Sequence, residues 1–348
     1  MTGNEAVGEG AIRAGCRAYF GYPITPQNEL TAYMASQMPR HERIFIQAES
    51  ELAAINMVFG ASATGARAMT SSSSPGISLK QEGISYLCGA RLPAVIVNVQ
   101  RGGPGLGSID PSQADYFQAV KGGGHGDYHM IVLAPDSVQE MHDMTVKAFS
   151  LADIYRTPVM ILTDGRLGQM MEPIRLHAGA PPPEPAKPWA LTGACGRPPQ
   201  FVRSLLVEDG SLEKHNQLLQ SVYRTIEKKE TDWEEYRTTD CTLLVAAWGT
   251  CARVAKAAVD AAREKGIAAG LFRPVTVWPF PYPQLTALSR RVKAVLVVEM
   301  NCGQMLDDVR IAAGNAMPIP FIGFPGGRVP TESEILKNLM AAGKRYAR

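Results

Sequence analysis

The sequence predicts an α/β fold, with a doubly wound parallel sheet followed by a smaller second α/β domain. Short, nearly continuous apolar segments alternate with longer segments of helical periodicity, which is typical of a parallel sheet covered on both faces. A proline-rich stretch interrupts this alternation after residue 173, and the alternation resumes at Thr242. These three observations divide the chain into two α/β regions with a connecting segment between them.

Six strand-like segments are predicted in the first region, and each is rich in apolar or β-branched residues. They occupy residues 17–23, 43–48, 67–72, 94–99, 130–134 and 159–164. Most of the segments between them have helical periodicity. One of these helices is predicted to begin at Asp136–Ser137, because a serine followed three residues later by an acid such as Glu140 is a common helix N-terminus.

Residues 174–240 are predicted to form a linker and a bridging helix between a domain over 1–173 and a domain over 241–348. The proline-rich run at 177–189 cannot continue a helix or a central strand. Residues 212–236 are predicted to form a charged helix that faces solvent. Strand-like segments of the second domain occupy residues 242–248, 270–274, 293–300 and 319–324, with helical segments between them.

Composition and charge argue against several classes of function. The chain has 348 residues, with 45% hydrophobic and 20% charged residues and a formal net charge of +2. So small a charge argues against binding to nucleic acid or to a membrane surface. Because no apolar run is long enough to span a bilayer and the first residues lack the pattern of a signal peptide, we expect a cytoplasmic protein.

The six cysteines of the chain are scattered, and none forms a CxxC pair. This spacing does not suit a zinc ion or an iron–sulfur cluster held by one local loop. We therefore expect reduced thiols. If the function requires redox centres, they are expected in another chain.

Polar residues follow three of the predicted strands at the point where each strand ends. Thr25 lies in the YPITP segment, Ser71–Ser74 follow the third strand, and Arg101 precedes a glycine-rich loop. Ligands of open parallel sheets bind at the carboxyl ends of the strands. The sequence therefore predicts that these residues share one site.

Thr25 has two interpretations. Pro26 favours an extended conformation for Thr25 and suits the first position of a helix, so Thr25 is predicted to cap that helix. The same helix N-terminus could also bind an anion. Arg101 is likewise open to two interpretations, a common surface arginine or a guanidinium fork for a carboxylate.

Glu49 and Glu51 are predicted to open an otherwise apolar helix. Acidic residues in a first helical turn are favoured by the helix dipole, which is sufficient reason for their presence. The rest of this helix carries almost no charge before Arg67, so it is predicted to be buried. A partly desolvated acid at its start could keep a proton available for acid–base chemistry.

Several familiar motifs are absent from the sequence. No GxGxxG motif lies at a strand-to-helix turn with an acidic partner downstream, and there is no Walker A loop, HExxH or GxSxG. Chemistry carried by this chain alone is therefore difficult to assemble from its residues.

The motifs taken together resemble a known family. YPITP, QAESELAAI, TSSSSPGISLKQEGISYL and VQRGGPG follow one another in the first domain and resemble the α subunit of 2-oxoacid:ferredoxin oxidoreductases. GTCARVAKAAVDAAREKG, LFRPVTVWPFP and VVEMNCGQMLDDVR resemble the transketolase C-terminal-like domain of that subunit. GPGLG and KGGGHGDYH are most similar to the branched-chain (3-methyl-2-oxobutanoate) type, and the 2-oxoglutarate type is close.

The resemblance implies a pyrimidine-type thiamine diphosphate domain and an enzyme of the EC 1.2.7 type. Such an enzyme converts a 2-oxoacid, coenzyme A and oxidised ferredoxin to acyl-CoA, carbon dioxide and reduced ferredoxin. The resemblance further implies that a β subunit holds the diphosphate and Mg²⁺ through a GDG motif, which this sequence lacks. A γ subunit and a small ferredoxin-like δ subunit with iron–sulfur clusters are expected as further partners.

The resemblance also implies roles for single residues. Glu51 is expected to contact the aminopyrimidine ring of thiamine diphosphate as the catalytic acid, and Glu49 is the alternative. Thr25 and Arg101 are expected to bind the 2-oxoacid. The serines at 71–74 are expected to line the cofactor cleft, with Tyr22, Pro23, Ser73 and Ser74 as the cofactor-binding residues beside Glu51.

Two other functions stay open at this point. The chain could be half of a different thiamine enzyme that needs no ferredoxin. It could also be an assembly scaffold without chemistry, although the presence of Thr25, Glu51 and Arg101 together argues against that.

Overall fold

The computed structural model describes residues 1–176 and 179–346. Residues 177 and 178, which begin the proline-rich run, lie outside the described residues, as do residues 347 and 348. The first sheet has seven strands, numbered along the chain: β1 Ala18–Gly21, β2 Ile44–Gln47, β3 Ala68–Ser72, β4 Ala94–Gln100, β5 Ile131–Leu133, β6 Pro158–Asp164 and β10 Thr276–Trp278.

The strands of this sheet lie in the order β10–β5–β6–β4–β3–β1–β2. Neighbouring strands are parallel, except that β10 is antiparallel to β5. The helices that connect and flank these strands are α1 Gly3–Arg13, α2 Asn28–Arg40, α3 Glu51–Ala63, α4 Ser74–Gly89, α5 Tyr116–Val120, α6 Val138–Tyr155 and α7 Gly165–Gln169.

The direction of winding reverses between β1 and β3. From β1 the chain moves outward to β2 at the sheet edge, and it then returns past β1 to β3 and continues to β4 on the other side. Right-handed crossovers therefore place α2 on one face of the sheet, and α3 and α4 on the other. This confirms the predicted doubly wound fold, and it opens a crevice at the carboxyl ends of β1 and β3.

Burial explains why the central strands form. Every residue of β3, β4 and β6 is buried, as expected for nearly continuous apolar strands with helices on both sides. The predicted start of α6 is confirmed: the Glu140 amide donates to Ser137 Oγ at 3.2 Å, and the Asp136 amide donates to the Glu140 carboxylate at 2.9 Å.

The second sheet has five strands in the order β12–β11–β8–β9–β7, parallel except for β7. Its elements, together with the helices that accompany them, are α8 Ser211–Lys229, β7 Trp233–Tyr236, β8 Leu243–Ala246, α9 Gly249–Glu264, β9 Ala269–Pro274, α10 Tyr282–Ser289, β11 Ala294–Glu299, α11 Met305–Ala313, β12 Phe321–Gly323 and α12 Glu332–Tyr346.

The predicted helix over 212–236 is wrong at its C-terminal end. The helix α8 ends at Lys229, and Trp233–Tyr236 form the edge strand β7, which is antiparallel to β9. Alternating exposure along β7 fits a strand with one face covered. The strand β7 lies within the predicted linker but joins the second sheet, and β10 lies within the predicted second domain but joins the first sheet. The domain boundaries at 173 and 240 stay a prediction.

Buried polar contacts join the domain of the first sheet to the domain of the second sheet. Thr250, at the start of α9, donates to the Asp164 carboxylate at 2.6 Å. The Arg273 guanidinium, only 1% exposed, forms ion pairs with Asp136 and Glu140 of the first domain. Burial raises the pKa of Asp164 to about 6, and the hydrogen bond from Thr250 acts in the opposite direction by stabilising the carboxylate.

Every helix among the described residues is too short or too polar to span a bilayer.

Candidate active site

The crevice between β1 and β3 holds most of the residues predicted for the site. The YPITP segment leaves the end of β1, and the serine run leaves the end of β3. Gln27, fully buried, ties the two together, since its side-chain oxygen accepts from Ser71 Oγ at 2.6 Å and its amide donates to the Tyr22 carbonyl at 3.2 Å.

The prediction that Thr25 caps the following helix is wrong. The helix α2 begins at Asn28, its cap position is Gln27, and no side chain makes a capping hydrogen bond there. Pro26 therefore lies before the helix and not at its first position. Thr25 Oγ instead accepts from the Asn28 side-chain amide at 3.3 Å, and Thr25 is half-buried beside the crevice.

Arg101 and Thr25 are brought together as predicted. The Arg101 guanidinium, on a side chain that is almost fully buried, donates to the Thr25 carbonyl at 3.0 Å and to the Leu106 carbonyl at 3.2 Å. Its Nε is buried and has no hydrogen-bond partner among the described residues. The buried Nε still needs an acceptor, which makes Arg101 a suitable residue to bind a carboxylate.

Glu51 and Glu49 occupy very different positions. The helix α3 begins at Glu51 and not at Glu49, because Ser50 caps it by accepting from the Ala53 amide at 3.1 Å. Glu49 is exposed, whereas Glu51 is only 6% exposed. Within the described ranges the Glu51 carboxylate forms no hydrogen bond or ion pair, so its oxygens are free to bind a ligand in the crevice.

Gly76 has no side chain, and the Glu51 carboxylate occupies the space that a side chain at this position would fill. A Cβ atom added at Gly76 would overlap Ser72 Oγ and would lie 2.6 Å from Glu51 Oε1. Real Cβ atoms do not approach other atoms so closely, so any side chain here would displace the carboxylate. The glycine of the SSSSPG segment is therefore required by the position of Glu51.

The serine run connects the Glu51 side of the crevice with the Arg101 side. Ser72 and Ser73 have buried hydroxyls that find no partner in the part of the chain that the structure describes. Ser74 Oγ donates to the Asp115 carboxylate at 2.5 Å and accepts from the Arg101 amide at 3.0 Å. The structure thus brings Ser73 and Ser74 into the crevice, while Tyr22 and Pro23 are exposed at its rim.

Asp115 supports this arrangement and was not predicted from the sequence. Its carboxylate also accepts from the Asn98 amide at 2.9 Å, and its backbone amide donates to the Gln100 side chain at 3.0 Å. Burial raises the pKa of Asp115, against the effect of its hydrogen bonds to Ser74 and Asn98. No motif marks this residue, because it comes from a loop far from the serine run in sequence.

Lys80 is a second residue that the sequence reasoning missed. It is completely buried in α4, and its Nζ donates to Thr70 Oγ at 3.1 Å and to the Glu51 carbonyl at 3.3 Å. Burial lowers the pKa of Lys80 to about 7, partly opposed by the Glu51 charge. The sequence does carry a signal for this burial. Lys80 lies on the same face of the helix as Ile77 and Ile84, and that apolar face predicts a core position.

The polar groups of the crevice fit an aminopyrimidine ring with an attached carboxylate substrate. An unpartnered acid can bond to a ring nitrogen, unpartnered hydroxyls can bond to an amino group, and the arginine Nε can bond to a carboxylate. No cluster of three His, Cys, Asp or Glu side chains suitable for a metal ion occurs among the residues that the structure describes.

Comparison with known proteins identifies the family. Residues 9–222 match the model of the thiamine-diphosphate-binding domain of pyruvate flavodoxin/ferredoxin oxidoreductases, and residues 242–335 match core domain II of pyruvate:ferredoxin oxidoreductases. A ketoisovalerate oxidoreductase subunit VorB of Methanothermobacter marburgensis is 50% identical over 97% of this chain and 96% of its own length. The chain belongs to the 2-oxoacid:ferredoxin oxidoreductases.

Other members of the 2-oxoacid:ferredoxin oxidoreductases are also similar. A 2-oxoglutarate synthase subunit KorA of Methanothermobacter thermautotrophicus is 39% identical, over 98% of this chain and 97% of its own length. The solved 2-oxoglutarate:ferredoxin oxidoreductase of Magnetococcus marinus superimposes with a TM-score of 0.86 at 27% identity. This superposition covers 98% of the present chain but 64% of that longer chain.

A more distant similarity supports the fold alone. A split-gene transketolase superimposes with a TM-score of 0.62 at 16% identity, over 98% of both chains. The family assignment confirms that the chain is an enzyme subunit with a thiamine-diphosphate-binding domain. It favours this family over the two alternatives, an assembly scaffold and a thiamine enzyme that needs no ferredoxin.

We predict that Gly76→Ala impairs the site without unfolding the chain. The methyl group displaces the Glu51 carboxylate, and a displacement of about 1 Å at a catalytic group can reduce turnover about 100-fold. The measurement is 2-oxoacid turnover by the complex reconstituted with its native partners, beside thermal unfolding of the chain. Gly60→Ala is the matched control, because a Cβ there meets no atom within 4 Å. Equal turnover by the two variants would contradict the prediction.

Proposed function

We propose that this chain is the subunit that binds the aminopyrimidine ring and the substrate in a branched-chain 2-oxoacid:ferredoxin oxidoreductase. The observation that carries the proposal is the buried, unpartnered carboxylate of Glu51 at the crevice, with the space for it left by Gly76. The branched-chain preference is supported by 50% identity to a subunit named for ketoisovalerate.

In the proposed reaction a 2-oxoacid loses carbon dioxide, its acyl group passes to coenzyme A, and two electrons pass to ferredoxin. Bound thiamine diphosphate supplies the carbanion chemistry of this reaction. The contribution of this chain is then to orient the cofactor ring, to bind the substrate and to control a proton.

Glu51 is the proposed acid. Its carboxyl would hold the ring nitrogen N1′ of the aminopyrimidine by a hydrogen bond, which a low-dielectric site would strengthen. Glu49 is a poor alternative because its side chain is exposed and lies before the helix. Ser72 and Ser73 offer unpartnered hydroxyls on the same wall.

Arg101 and Thr25 are the proposed substrate residues. The guanidinium already uses two nitrogens to hold the Thr25 and Leu106 carbonyls, which fixes its orientation before any ligand arrives. Its unpartnered Nε and the Thr25 hydroxyl are then free to receive the carboxylate and carbonyl of a 2-oxoacid. Orientation before binding lowers the entropy cost of binding.

Other chains complete the proposed enzyme. A β subunit would hold the diphosphate and Mg²⁺, and γ and ferredoxin-like δ subunits would carry further functions, including iron–sulfur clusters for electron transfer. The relatives support a multi-subunit enzyme because their names describe subunits. Coenzyme A is supported as the acyl acceptor by the solved relative, which contains it.

A second candidate substrate is 2-oxoglutarate. It is favoured by the 39% identity to a 2-oxoglutarate synthase subunit and by the fold similarity to a 2-oxoglutarate enzyme. The identity to the ketoisovalerate subunit is higher over a similar share of the chain, so the branched-chain substrate is preferred.

We predict that Glu51→Gln lowers turnover of the reconstituted complex about 10²- to 10⁴-fold, the usual loss when a general acid–base group is removed. The amide keeps the size of the side chain but cannot hold the acidic proton. Assembly of the complex, followed by size-exclusion chromatography, should be unchanged. Glu49→Gln is the control and should retain wild-type turnover; full turnover by Glu51→Gln would refute the assignment.

We predict that Arg101→Ala raises KM for every 2-oxoacid by about 10- to 100-fold, because a charge-assisted hydrogen bond to the common carboxylate is lost. The complex is assayed with coenzyme A and a viologen dye on a panel of branched-chain 2-oxoacids, pyruvate and 2-oxoglutarate. Arg224→Ala, at an exposed arginine of α8, is the control.

The same panel tests the substrate class. The wild-type complex should show its highest kcat/KM on a branched-chain 2-oxoacid. A clear preference for 2-oxoglutarate would replace the first candidate with the second. An unchanged KM in Arg101→Ala would remove Arg101 from the substrate site.

A further inference from the structure

Lys80 is unusual because a lysine is rarely buried without an ion pair. Its exposure is 0%, and within the described part of the chain its Nζ forms no ion pair within 4 Å. Its hydrogen-bond partners are one carbonyl and one hydroxyl, both uncharged. Such a residue costs stability when it is charged, so a role in the site is a reason for its presence.

The two partners of Lys80 place it directly behind the proposed acid. The carbonyl that it holds is that of Glu51, the first residue of α3, and the hydroxyl belongs to Thr70 in β3. Two residues after Thr70, Ser72 Oγ lies beside the position of the Glu51 carboxylate. Lys80 therefore joins the first turn of α3 to the strand that forms the crevice wall.

The charged groups around Lys80 are few. From α3, the Glu51 carboxylate is the charged group that acts on it. From β3, it meets the neutral Thr70 hydroxyl. On α4 itself, Glu82 is exposed and accepts a hydrogen bond from the Tyr86 hydroxyl at 2.6 Å. The electrostatic partner of the Lys80 amine is thus Glu51.

We propose that Lys80 is a positioning residue for Glu51: its amine ties the first turn of α3 to β3 and so holds the Glu51 side chain at the crevice. The inference rests on the proposed role of Glu51 as the acid at the aminopyrimidine.

The direction of the effect on stability follows from the burial of Lys80. Burial lowers the pKa of Lys80 to about 7, whereas a lysine in an unfolded chain titrates at about 10.4. Between these values the unfolded chain binds more protons than the folded chain, so stability rises with pH across this window. Below about pH 7 both states are protonated and the contribution is constant.

The first test uses the full chain without partners or cofactor. Urea unfolding of wild type is compared with Lys80→Met from pH 6 to pH 10, and Lys147→Met, at a partly exposed lysine, is the control. The folding equilibrium constant of wild type should rise relative to that of Lys80→Met as the pH rises through this window. The rise should be up to about tenfold per pH unit, the effect of one titrating proton. A constant ratio would show that the Lys80 amine is not buried against the Glu51 carbonyl, and this would overturn the proposal.

The second test uses the reconstituted complex and separates positioning from mere stability. Lys80→Met should lower kcat by about 10- to 100-fold while KM for the 2-oxoacid changes little, because a displaced Glu51 impairs the catalytic step and not the binding of substrate. Lys80→Gln retains a hydrogen-bond donor for the Glu51 carbonyl and should recover part of the lost kcat.

The outcomes distinguish this inference from the proposed function. An unchanged kcat in Lys80→Met, or a loss that Lys80→Gln does not recover, would leave Lys80 a structural residue and overturn the inference. If the wild-type complex turned over no 2-oxoacid, the proposed function would fail instead. The affinity of the complex for thiamine diphosphate, which should fall in Lys80→Met and recover in part in Lys80→Gln, would then decide the inference.

Discussion

The reversal of winding between β1 and β3 is the constraint on which the rest of the site depends. Parallel strands end at one edge of the sheet, and the reversal separates the helices that follow β1 and β3, so a crevice opens there. The YPITP segment forms one wall and the serine run forms the other. Since both walls are fixed by buried hydrogen bonds through Gln27 and Ser71, the polar groups face a prepared space.

Among the residues that the structure describes, several polar groups of the crevice are without partners. Glu51 has a free carboxylate, Ser72 and Ser73 have free hydroxyls, and Arg101 has a free Nε. Buried polar groups normally find partners, so these groups are suited to a ligand that completes their hydrogen bonds. Hydrogen bonds from Asn98 to Asp115, from Ser74 to Asp115 and from the Arg101 amide to Ser74 hold the supporting residues in place beside these groups.

Sequence reasoning predicted the fold and much of the site, because apolar periodicity and residues at strand ends are local signals. It failed where the outcome depends on long-range contacts. The cap of α2 was misassigned because the Thr25 segment is held by Arg101, which is remote in sequence. The strands β7 and β10 were missed because each is an edge strand stabilised by a distant partner. Lys80 is a different case, because its place on the same helical face as Ile77 and Ile84 is a local signal that predicts burial.

We propose that this chain provides one half of a thiamine diphosphate site and that a partner chain provides the other. Calorimetric titration of thiamine diphosphate with Mg²⁺ tests this division directly, using the isolated chain, the isolated partner and their mixture. We expect weak or undetectable binding to each chain alone and tight, stoichiometric binding to the mixture. Tight binding to the isolated chain, equal to that of the mixture, would contradict the proposed division.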